Sequence, residues 1–134
     1  MIKAIALIPA RSGSKRIKNK NIIKINGIPL LAYTIKEAIN SKLFDRVVCV
    51  TDSYKYAKIA KKFGAEVPKI RPKSISNEKS PDIEWVLWIM NILNKGKKYN
   101  IFSILRPTNP LRKSFTIKRA FKKFLKSKNI DSLR

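Results

Sequence analysis

The fold is decided in the stretch KAIALIPARSGSKRIKNKN, residues 3–21. Residues 3–8 form a short, almost wholly apolar run that ends at Pro9, and the chain then turns abruptly polar from Arg11 to Asn21. An apolar run with no polar alternation reads as a strand covered on both faces, and the segment after it as a loop at the strand's carboxyl end.

The same unit recurs along the chain. From Pro29, PLLAYTIKEAINSK places Leu30, Leu31, Thr34, Ile35, Ala38 and Ile39 on one helical face, with the proline suited to the first turn. RVVCVT (46–51) is a second buried strand, Thr51-Asp52-Ser53 supplies caps for the helix YKYAKIAKKF, and Gly64 ends that helix. Glu66–Ile70 reads as a short strand, Asp82–Leu93 as an amphipathic helix, Asn100–Leu105 as a strand stopped by Arg106-Pro107, and Ser114–Lys126 as a last helix. Strand and helix in alternation predict one α/β domain over residues 1–134, with a parallel sheet between helical layers and right-handed crossovers. Ligands of such sheets bind beyond the carboxyl ends of the strands. The polar segments expected there are Arg11–Asn21, Thr51–Ser53 and Arg106–Arg112.

Composition narrows the function. The 134 residues carry 31 Lys and Arg against 8 Asp and Glu, a net charge of +23. The basic residues are mostly lysines spread along the whole chain among abundant Ile and Asn, and the aromatic-basic signatures of RNA-binding modules are missing. Nucleic acid is therefore not the expected partner. The absence of histidine and the single Cys49 leave no zinc pattern and no internal disulfide, so Cys49 reads as core. The apolar run Ala4–Ala10, broken at Arg11, is too short for a signal sequence or a membrane span, and a soluble cytoplasmic protein is expected.

The first loop concentrates five cations with Ser12, Gly13 and Ser14 directly after a strand. Backbone N–H groups of such a turn cradle phosphate oxygens, and fixed cations offset charge on a pyrophosphate leaving group. It lacks the spacing of a Walker A motif. A solvated lysine-rich loop is the plain alternative.

Beyond this chemistry there is a resemblance. IPARSGSKRIKNKN closely resembles the signature loop of the acylneuraminate cytidylyltransferases, the CMP-sialic acid synthetase family, and in order along the chain GIPLLAYTIKEAINSKLFDRVVCVTDS, KKFGAEVPKIRP, LRPTNPLR and the terminal DSLR resemble its later segments. The resemblance implies a Rossmann-like three-layer fold of the nucleotide-diphospho-sugar transferase type with a mostly parallel sheet, of which these residues are the N-terminal portion. It implies that CTP binds the first loop and that a hydroxyl of an acidic nine-carbon sugar attacks the α-phosphate with loss of pyrophosphate. Arg11, Lys15 and Lys20 would hold phosphates beside Ser14 and Asn21, and Arg71 would help hold the nucleotide. Ser80 and Asp82 fall where the family contacts base or ribose, which is also where a helix needs caps.

Arg106, Thr108 and Asn109 lie in a proline-stiffened segment suited to holding a sugar. Arg106 stands where many sialic-acid enzymes have Gln and Asn109 where they have Ser. An Arg could pair with the substrate carboxylate, which makes legionaminic or pseudaminic acid as suitable an acceptor as sialic acid. Kdo cytidylyltransferases share a similar first loop, but RPTNP and FGAEV favour the sialic-acid side. The late aspartate pair that binds magnesium in the family, and its dimerisation segment, have no counterpart in these residues; Asp52 is the one acidic residue expected at a strand end, where with the phosphates it could recruit Mg²⁺ weakly. Alternatives from other classes are a nucleotide-binding remnant without turnover and a basic nucleic-acid-binding protein. Loss of the later strands would leave apolar surface on the last helix and at Ile130 uncovered.

Overall fold

The computed structural model describes residues 1–96 and 98–134. Its centre is β1 (Ala4–Pro9), which pairs in parallel with β4 (Arg46–Val50) on one edge and β5 (Ile101–Ile104) on the other. The register sets Leu7 opposite both Val48 and Ile104. Successive side chains of a strand point to opposite faces, and both faces of β1 are covered. Ile5 and Leu7 join Val48 and Val50 against Trp85, Val86, Ile89 and Leu93 of α3 (Asp82–Leu93). Ala6 and Ile8 join Val47 and Cys49 against α1 (Leu30–Ser41), α2 (Tyr54–Lys62) and Ile117 of α4 (Ser114–Lys126). Each fully buried Ile or Leu contributes about 1.5–3 kcal/mol, so these layers outweigh any surface ion pair. The expected parallel sheet between helical layers is the observed one.

Local chemistry sets the element ends. Ser53 caps α2, its hydroxyl accepting from Tyr56 N at 3.2 Å. Gly64 ends the helix region at φ +101°, where an added Cβ would lie 2.9 Å from Ile39 Cδ1. Pro29 sits at the N-cap of α1, one place before the first turn.

Two expectations change. Glu66–Ile70 is not a strand: Glu66 alone bridges β4, exchanging bonds of 2.9 Å with Cys49 and Val47, and Pro68, with no N–H to donate, follows at once. Between the first loop and α1 lies a hairpin that hydrophobic periodicity does not show, β2 (Lys24–Ile25) with β3 (Ile28–Pro29). Its turn residues Asn26 and Gly27 have φ of 51° and 76°, as a type I′ turn requires.

The last helix is the least covered. Phe121 packs edge-on against Phe44 with ring centres 6.3 Å apart, but Phe115 is 65% exposed, and Phe102, Leu125 and Ile130 are exposed too. Self-association of the isolated chain is expected from this surface, read as concentration-dependent sedimentation; a monomer at all concentrations would contradict it. Cys49 is fully buried, and burial pushes its thiol up to about 12. A thiol reagent at mildly alkaline pH should leave the native chain unlabelled and label it fully in denaturant; fast native labelling would mean that the sheet opens.

Candidate active site

β1 and β4 deliver the chain to the same end of the sheet, where Ala10 N still donates to Val50 O at 2.9 Å. The loop that leaves β1 has three ties. Asp52, in the turn after β4, accepts from Ser12 N at 2.8 Å and from the Ser12 hydroxyl at 3.1 Å. The phenol of Tyr56 in α2 donates to Asn19 Oδ1 at 3.0 Å, and burial, then the charge of Asp52, raises its pKa and keeps it protonated. Asn21 donates from Nδ2 to Arg11 O at 3.2 Å, closing the loop on itself.

Arg71 approaches from the far side of β4. Its main-chain N donates to Thr51 O at 2.8 Å, and its guanidinium donates to Ile75 O through Nε at 2.8 Å and through Nη2. The residue is 4% exposed, and its guanidinium carbon lies 5.7 Å from the ring centre of Trp85. Burial lowers the Arg71 pKa; Asp52 opposes this and Arg11 adds to it. A guanidinium keeps its proton nonetheless, so the site holds a desolvated, stacked cation.

These elements enclose a cleft of about 230 Å³. Arg11, Ser14, Lys20 and Asn21 line it from the first loop, Arg71, Ser80 and Asp82 from the segment leading into α3, and Arg106 and Thr108 from the turn after β5. Lys15 and Asn109 do not line it. Lys15 is 77% exposed at its side chain and pairs with Glu78 at 2.9 Å; the hydrogen bond, then the charge, of Lys15 holds the Glu78 carboxyl below its usual range. Asn109 serves the turn through its main chain, donating to Arg106 O at 3.4 Å and accepting from Arg112 N at 3.3 Å. Neither Ser80 nor Asp82 caps α3: Pro81 occupies that position, the Ser80 hydroxyl accepts from Asn77 N at 3.3 Å, and Asp82 is the first helical residue.

Sequence reasoning missed the cleft residues Pro9, Asn77, Glu78, Trp85 and Pro107. For Trp85 there was a signal, since it stands one helical turn after Asp82; Oδ1 of Asp82 accepts from its indole N–H at 3.0 Å.

Whether these residues suit a magnesium ion can be judged from their partners. Asp52 is engaged by Ser12, Asp82 by Trp85 and Arg106, and Glu78 by Lys15. Magnesium demands near-octahedral oxygen donors, and among the described residues no group of three or more His, Cys, Asp or Glu side chains could hold a metal ion. The carboxylates present do not fit a magnesium site. No helix among the described residues is long and apolar enough to cross a membrane.

The cleft lies at the carboxyl end of the parallel sheet, where α/β proteins bind their ligands, and is lined by Arg11, Lys20, Arg71 and Arg106 against Glu78 and Asp82. Residues 5–133 match the cytidylyltransferase family, and the chain belongs to it. It is 41% identical over 120 residues to an N-acylneuraminate cytidylyltransferase of Escherichia coli, covering 90% of this chain and 28% of that protein. Over 129 residues it is 36% identical to a pseudaminic acid cytidylyltransferase of Campylobacter jejuni, covering 96% of this chain and 56% of that one. It thus spans about half, or less, of the length of these relatives. Among solved structures it is similar to a CMP:2-keto-3-deoxy-manno-octonic acid synthetase complexed with CTP, at a TM-score of 0.78 and 19% identity, over 96% of this chain and 49% of that one. The fold is that of the Rossmann-like nucleotidyltransferases.

The Asp52 tie yields a test. Asp52→Ala leaves two donors of Ser12 without their acceptor and should cost about 1–3 kcal/mol, lowering the melting temperature and speeding hydrogen exchange at Ser12, with partial recovery in Asp52→Asn. Unchanged melting with Ser12 still protected would show that the loop is held by other means.

Proposed function

We propose that this chain is the nucleotide-binding part of a cytidylyltransferase that transfers CMP from CTP to an acidic nine-carbon sugar of the sialic, legionaminic or pseudaminic acid type. The observation that carries the reading is the convergence of Arg11, Lys20 and the buried Arg71 on one cleft beside the Ser12–Ser14 turn. Three cations and a Gly/Ser turn held by a carboxylate suit a triphosphate.

In this reading the sugar hydroxyl oxygen forms a bond to the α-phosphorus and its O–H bond breaks, the proton passing to water. The bond from that phosphorus to the oxygen bridging the β-phosphate breaks, and its electron pair leaves with pyrophosphate. Arg11 and Lys20 neutralise the leaving group and Arg71 fixes the nucleotide, so the chain's contribution is positioning and charge stabilisation. Lys15 joins them by exchanging Glu78 for a phosphate.

A second reading, CTP binding without turnover, is favoured by the pairing of the cleft carboxylates Glu78 and Asp82 with Lys15 and with Trp85 and Arg106. Pyrophosphate release with CTP and each of the three acids separates the two.

The site assignment is tested by calorimetric titration of CTP. Lys20→Ala removes a charge-assisted phosphate contact and should cost about 2–4 kcal/mol, roughly thirty-fold to several hundred-fold in affinity. Lys61→Ala and Lys123→Ala, exposed residues of α2 and α4, should each cost well under about 1 kcal/mol. Equal losses at all three would mean that a diffuse positive field, and not the loop, binds the nucleotide.

A further inference from the structure

The loop after β1 is held at both ends by one short piece of chain. Asp52 fixes its beginning at Ser12, and Tyr56, in the first turn of α2, fixes its end at Asn19. The Ser53 hydroxyl, which accepts from Tyr56 N, lies between the two and makes them a single unit. Residues 15–18 of the loop, between these ties, are exposed.

Asn19 is where the loop changes direction. Its φ of 55° is left-handed, a conformation that asparagine and glycine adopt more readily than other residues. The short helical turn Lys20–Ile22 starts from it: Asn19 O accepts from Ile22 N at 3.0 Å, and Lys20 O accepts from Ile23 N at 3.3 Å. Lys20 and Asn21, which follow directly, both line the cleft, whereas Asn19 and Tyr56 do not. The side chain of Asn19 runs the other way, to a phenol whose residue is 1% exposed and packed in the core with Ile8, Ala10 and Ala60. Lys20 therefore springs from a joint anchored in the apolar layer. Fixing that joint ahead of binding removes part of the ordering cost that a phosphate contact would otherwise meet.

We infer that Tyr56 is a positioning residue for nucleotide binding: through Asn19 it holds the Lys20 turn in the place from which Lys20 lines the cleft. The inference rests on the nucleotide reading and deepens it, assigning part of the CTP affinity to a core residue outside the cleft. A buried hydroxyl needs a partner in any case. What gives this bond a function is that the partner stands one residue before a cleft cation.

Amide NMR titration with CTP, which reads weak and tight binding alike, tests it. Tyr56→Phe keeps the buried ring and removes the donor. Asn19→Gly keeps the left-handed backbone and removes the acceptor, so it reads the same bond from the loop side, outside the core. Each should weaken CTP binding roughly three- to tenfold, as the loss of one hydrogen bond does, and the two together should be within about twofold of the weaker single variant. In a Lys20→Ala background, where the phosphate contact is already gone, either change should weaken CTP by less than about twofold further. A bond that only stabilises the fold would lower the melting temperature and leave the CTP affinity of the folded Tyr56→Phe and Asn19→Gly chains unchanged. That result, with Lys20→Ala still strongly weakened, would overturn the inference and leave the nucleotide reading standing. Losses that add in full to that of Lys20→Ala would also overturn it, since Tyr56 would then act by a route other than Lys20. A wild-type chain that binds no CTP, or a Lys20→Ala variant that binds it unchanged, would instead overturn the underlying reading.

Discussion

β1 has a strand on each edge and helices on each face, and that enclosure is the constraint from which the site follows. A strand so placed has no room for a polar side chain along its length, so the polar residues of the N-terminal region are displaced to where β1 runs out, at the carboxyl end of the sheet. Its two neighbours are parallel to it and end at the same level. Their connecting turns therefore arrive together, and the carboxylate after β4 meets the backbone of the loop after β1. Asp52 and Ser12 are brought together by the pairing of two strands.

The charge distribution at that end follows from burial. Arg71 is almost inaccessible, and its positive charge is offset in part by Asp52, while Trp85 covers one side of its guanidinium. A buried cation with incomplete compensation attracts an anion more strongly than exposed lysines in high dielectric. This separates the cleft from the dispersed lysines of α2 and α4, and makes +23 a poor guide to function.

Much of the fold was legible in the sequence because the strands are continuous apolar runs and the helices carry clear apolar faces. Ala4–Pro9, Arg46–Val50 and Ile101–Ile104 lie where those runs lie, within a residue or two. The hairpin at Asn26-Gly27 was legible in its turn residues but not in periodicity, since strands of two residues have too little pattern to show one. Glu66–Ile70 failed as a strand because Pro68 outweighed the apolar residues around it. In the site, residue types and order identified the loop, but not its partners. Asp52 with Ser12, Glu78 with Lys15, and Asp82 with Arg106 are pairs far apart in sequence, and no local spacing announces which carboxylate will take which donor. Lys15 and Lys20 look equivalent in the loop; only the placement of Glu78 turns one to the rim and leaves the other in the cleft.

The central claim is that the loop after β1 and the Arg71 segment form one nucleotide site at the carboxyl end of the sheet. An amide NMR titration with CTP, repeated with ATP, GTP and UTP at equal ionic strength, tests it most directly. The account predicts saturable shifts at Ser12–Asn21, Arg71 and Trp85 with CTP bound most tightly, and little change along α2 and α4. Weak shifts spread over the lysine-bearing helices, equal for all four nucleotides and erased by salt, would contradict it.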